Sequence, residues 1–184
     1  MCIIQYTCIL GFLLGVILKM ADLSHYLESG LINHVFRGET FGKPTNICIA
    51  LCSGVPSGFN TGATIPELGA TYTDGSTSTG YKRIDLNDPA LSGNVNWKFD
   101  EDAFAVSGGV IKNCFAIEWP TSEFRSEDIE EAYGWGWVSG IAILDSLAIG
   151  EGNLLMQAQL DNPREVFGGD TLKFDAQKLI IRFK

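Results

Sequence analysis

The stretch Trp135-Gly-Trp-Val-Ser-Gly-Ile-Ala-Ile-Leu-Asp145 decides the fold class. It is apolar, rich in β-branched and aromatic residues, and too short and glycine-broken for a buried helix. It therefore reads as a strand. Working toward the C-terminus, Gly152-Asn153 marks a turn and Leu154 to Leu160 reads as the next strand. Glu165 to Phe167 is a further short strand, and Gly168-Gly169-Asp170 turns the chain back. Thr171 to Phe174 and Leu179 to Phe183 close the sequence as strands.

Working toward the N-terminus, Val110 to Trp119 reads as one long strand ending at Pro120. Val95 to Phe99 alternates with Val95, Trp97 and Phe99 on one face. Tyr81 to Leu86 alternates less cleanly, with Tyr81, Arg83 and Asp85 on one side. Asn46 to Cys52 is almost uninterrupted in apolar residues, as expected of a strand covered on both faces. Residues 54–80 read as a long loop with a short helical piece near Pro66-Glu67-Leu68. The expectation is an antiparallel, mainly β fold, a sandwich or jelly roll of about eight strands.

One helix precedes the strands. Asp22 is placed as its cap, and Leu23, Tyr26, Leu27, Leu31 and Val35 recur at helical spacing. Arg37 and Gly38 end it, giving a helix over residues 22–36. Ahead of it, residues 1–18 carry no charged side chain. Three readings of this head stand: a misplaced start with the true beginning at Met20, a membrane anchor, or a signal peptide. A signal would begin with a positive region, yet the nearby cation, Lys19, follows the run. The domain reading is thus a hydrophobic extension at 1–19, misassigned or dispensable, and a single domain at 20–184, with a membrane role disfavoured.

The 184 residues suit one domain, and 46% hydrophobic with 19% charged content is globular. A net charge of -9 repels phosphate and argues against nucleic-acid binding. The five cysteines are Cys2, Cys8, Cys48, Cys52 and Cys114, all in apolar stretches and read as reduced, buried thiols.

Catalytic chemistry finds little support. Cys48 and Cys52 share a strand face but stand about 13 Å apart, too far for one ion. His25 and His34 are nine residues apart on the helix, and no histidine follows Ser139 to complete a triad. Gly168 to Thr171 and Ser107 to Gly109 lack the lysine and helix start of a phosphate loop. No catalytic residue, metal ligand or cofactor is assigned. Trp119, Trp135 and Trp137 are read as core rather than as a sugar platform.

Several segments, in order, carry a resemblance. They are Leu31 to Arg37, Lys43 to Leu51, Thr79-Gly80-Tyr81-Lys82-Arg83, Asn113 to Pro120, Trp135 to Asp145, Gly152 to Leu155 and Gly169 to Phe174. Together they resemble a family of small tailed-phage virion proteins, tail-fibre-like or structural, over nearly all of residues 20–184. The loop at 54–80 and the insertion at 122–131 depart from the pattern. The resemblance implies a non-enzymatic virion protein, made in the host cytoplasm. Its role would be a capsid decoration (cement) protein or a tail or fibre adaptor, with other virion proteins, major capsid or tail proteins, as partners. A homo-oligomer such as a trimer is expected. The rival readings are a carbohydrate- or receptor-binding module and a membrane-anchored surface protein. The candidate partner contacts are His25, Tyr26, Asn33, His34, Phe36 and Arg37 on the helix, with Phe59 and Tyr72 in the long loop.

Overall fold

The computed structural model describes residues 19–69, 78–86, 97–99, 110–113, 115–123 and 134–182. Tyr72, Cys2, Cys8, Cys114, the head at 1–18, the Ser107 to Gly109 turn and most of the 122–131 insertion lie outside them. Among the described residues the strands are β1 (Lys19–Leu23), β2 (Cys48–Cys52), β3 (Ile84–Asp85), β4 (Trp97–Phe99), β5 (Val110–Asn113), β6 (Ile117–Glu118), β7 (Gly136–Leu144), β8 (Leu154–Val166), β9 (Lys173–Phe174) and β10 (Ile180–Arg182), with one helix, α1 (His25–Arg37). The protein is mainly β and antiparallel with one N-terminal helix, as the strand pattern predicts.

The strands form a five-stranded sheet in the order β1-β8-β7-β2-β3, a three-stranded sheet β10-β5-β4 and a two-stranded ribbon β6-β9. Strand β2 runs against β7 from Cys48↔Leu144 to Cys52↔Gly140. Each of its residues is fully buried, which explains its uninterrupted apolar sequence. On one face Ile49, Leu51, Ile141 and Leu160 meet Ile117, Trp119, Leu172 and Phe174 from the ribbon side. On the other, Cys48, Ala50, Cys52, Ala142 and Leu144 are capped by Ile65 from the long loop. A third cluster joins Ile143, Leu155, Met156 and Ile181 to Leu23 and Leu27. Through Leu27 the helix is tied to the sheet.

Several expectations need correction. The helix starts at His25, and its cap is Ser24, not Asp22. Residues 19–23 form β1 along β8 instead, so Leu23 belongs to a strand. The helical piece expected near Pro66 is extended chain: Glu67 bridges Cys52, and Leu68 N–H donates to the Leu51 carbonyl. The long strand expected over Val110 to Trp119 is two strands in different sheets. Asn113 breaks it. Its side-chain amide donates to the Phe115 and Asp175 carbonyls, and its Oδ1 accepts from Leu179 N–H. A side chain that satisfies three backbone groups favours a turn over a continuing ladder. Conversely, Glu165 and Val166 belong to β8, which runs on past a bulge opposite Ser139.

Candidate functional site

Helix α1 is well terminated and poorly covered. Ser24 is buried; its backbone N–H donates to the Leu155 carbonyl and its hydroxyl to the Leu154 carbonyl, while its Oγ accepts from Leu27 N–H at 3.2 Å. The cap thus fastens the helix to β8 while filling an orphan donor of the first turn. At the other end Gly38 adopts φ +70, where a Cβ would be strained. The Gly38 and Glu39 N–H groups both donate to the Asn33 carbonyl. His34 Nδ1 lies 2.9 Å from the Glu39 carbonyl, and Arg37 meets Glu39 at 3.5 Å. The returning chain lays the Phe41 ring over Gly30 and beside Tyr26, with ring centroids 5.9 Å apart.

No residue of α1 is buried. With 3.6 residues per turn, His25, Ser29, Ile32 and Phe36 fall on one line, with Val35 alongside. Phe36 is 81% exposed, Val35 67% and Ile32 56%. Phe59, 79% exposed, stacks on His25 at 3.9 Å between ring centroids. The Gly58 carbonyl accepts from His25 N–H, which fixes Phe59 at the head of this line. The result is an outward apolar stripe running from Phe59 to Phe36. A sharp seam of this kind is unusual on a solvated surface.

Of the residues singled out from sequence, His25, Phe59 and Phe36 contribute to the stripe. Tyr26 leans toward Phe41 on the neighbouring face. Asn33, His34 and Arg37 serve the chain reversal at the helix end. Tyr72 lies outside the described residues. Ile32 was missed; its signal is the Ile32/Phe36 pair at i, i+4, which marks a second apolar face.

A second constellation is buried. Arg83 and Glu67 form a two-pronged ion pair, Nε–Oε1 2.8 Å and Nη2–Oε2 2.6 Å, with side chains 0% and 5% exposed. Tyr81 donates its hydroxyl to Glu67 and accepts from Leu51 N–H. Arg83 Nη1 donates to the Ser146 and Glu151 carbonyls, and the Cys48 thiol also points at Ser146 O. Burial disfavours the Arg83 charge, but the Glu67 bonds and charge hold its pKa above the ordinary value. Burial raises both thiols, Cys48 to about 11 and Cys52 to about 12. Protonated thiols and a sealed ion pair offer a solute no reactive atom. This set clamps the 53–69 loop and the 145–153 turn to the sheet.

Trp119 and Trp135 are buried, and Trp137 is 56% exposed. The three rings therefore share no groove. Among the described residues, no group of three His, Cys, Asp or Glu could hold a metal, and no helix is long and apolar enough to cross a membrane.

A family model described as "Podophage GP4 fiber I protein gp80" matches residues 22–182. No curated protein matches the chain.

Proposed function

The chain belongs to the podophage GP4 fiber I protein gp80 family and is a structural, fibre-type component of a tailed-phage virion; on that premise we propose that it is a tail or fibre adaptor whose α1 stripe docks on a neighbouring virion protein. The observation that carries this is the exposed line Phe59–His25–Ile32–Phe36, bordered by Val35. Such a stripe gains free energy when covered, at roughly 25 cal/mol per Å² of apolar surface. It sits on a helix whose two ends are pinned, so little ordering entropy is spent on docking. The role needs no catalysis, metal or cofactor. The working unit is the domain at 20–184, assembled as a homo-oligomer such as a trimer. A fibre-family chain fits a tail position better than a capsid decoration role.

The test is photo-crosslinking from position 36 in assembled particles, with p-benzoylphenylalanine in place of Phe36. The expected product joins this chain to another virion protein. A crosslink-free particle, with the same residue crosslinking efficiently to a soluble control partner, would contradict the docking assignment.

A further inference from the structure

We infer that Trp137 and Glu165 form a recognition point for an arginine side chain on a basic partner surface. The two residues are directly opposite in the β7–β8 ladder, so their side chains leave the same face of the sheet. Trp137 is 56% exposed while the next residue of β7, Val138, is fully buried on the opposite face. Its exposure is thus a matter of direction, not of a loose strand end. Among the described residues no ring stacks on the indole, and no cation pairs with Glu165. The adjacent Arg164 turns to Asp170 instead, at 3.7 Å. Phe167, exposed just past the end of β8, extends the apolar border.

An open indole face beside an unpaired carboxylate is complementary to one chemistry in particular. A guanidinium can lie flat on the ring while its edge N–H groups reach the carboxylate. A lysine would use the charge but not the planarity. A neutral sugar would use the ring but has no need of the unpaired charge. The net charge of -9 favours the approach of a basic surface over an acidic one. This site lies on the sheet, apart from α1, and stands or falls independently of the docking proposed there.

The test titrates the full chain with a blocked tri-arginine peptide and follows the Trp137 indole N–H resonance, assigned by its loss in Trp137→Phe. A saturable shift is expected, weakened about three- to tenfold in Glu165→Gln and by added salt, the scale of one exposed cation–π contact with an ion pair. Both positions are exposed, so both variants should keep the fold, as checked by circular dichroism. The inference is overturned by an unsaturable or absent Trp137 shift. It is equally overturned by a shift that survives Glu165→Gln unchanged, or by an equal shift with neutral cellotriose, which would mark a saccharide platform.

Discussion

Glu67 and Arg83 meet inside the protein at 2.6 Å, sixteen residues apart in sequence and sealed from water. Neither lies in a regular strand beyond an isolated bridge. Their pairing joins the loop after β2 to the segment before β3, and Arg83 reaches on to the carbonyls of Ser146 and Glu151. Replacing one partner strands a buried charge. Glu67→Gln and Arg83→Met are each expected to destabilise by about 3–5 kcal/mol in chemical denaturation, and the double variant by clearly less than their sum. Additive losses would mean that the two groups are not coupled.

The buried thiols make stability fall in base. From the ordinary value of 9.0 up to about 11 for Cys48 and about 12 for Cys52, the unfolded chain releases protons that the folded chain keeps. The native state then binds more protons, so stability is full below pH 9 and declines as pH rises through that window. Tyr81, raised by burial and by Glu67, pushes the same way at higher pH. Denaturation midpoints should drop from pH 9 toward pH 11, with a shallower drop in a Cys48→Ala/Cys52→Ala chain. Equal slopes in both chains would remove the thiols from the account.

Ser24 both caps α1 and bonds β8, so its loss affects helix and docking together. Ser24→Ala should cost about 1–2 kcal/mol. Hydrogen exchange should speed up in the first turn of α1 before it does in β8. Uniform acceleration across both elements would show instead that the serine acts only on global stability.

Gly62 faces a backbone wall. A Cβ there would collide with the Glu151 carbonyl oxygen, and the Gly62 N–H already donates to the Gly152 carbonyl. Backbone on both sides cannot yield as a side-chain tip can. Gly62→Ala is expected to lose about 1–3 kcal/mol in thermal unfolding, whereas Gly42→Ala, with open space around it, should stay within about 0.5 kcal/mol of the parent.

What was legible in the sequence is the part set by nearest-neighbour pattern. Cys48 to Cys52 is a continuous apolar run and Gly136 to Leu144 a largely apolar one interrupted by Ser139, and both are inner strands of the five-stranded sheet. Gly152 and Gly169 turn the chain with φ +87, as their positions between strands suggest. The helix was legible in kind but not in orientation. Tyr26, Leu27, Leu31, Ile32, Val35 and Phe36 spread around most of its circumference, so periodicity alone could not say which face turns outward. Alternation failed at 81–86 because only Ile84 and Asp85 are strand. Tyr81, Ile84 and Leu86 share one core cluster, and the Tyr81 hydroxyl and the Arg83 guanidinium both reach the buried Glu67. The Glu67–Arg83 clamp was invisible because its carbonyl acceptors lie more than sixty residues away. Trp135 and Trp137 stand two residues apart, which strand alternation alone would put on one face; their opposite fates arise because Trp135 precedes β7 and Gly136 turns the chain between them with φ +74.

The central claim is that the outward stripe of α1 holds this chain in the particle. The direct measurement is the amount of chain on purified particles, by quantitative mass spectrometry, for the parent and for an Ile32→Ser/Phe36→Ser variant. Both side chains are exposed, so the variant should fold with a stability change within about 1 kcal/mol. The account predicts a folded variant that is lost from particles while the parent is retained. A folded variant present at the parent's level would contradict it.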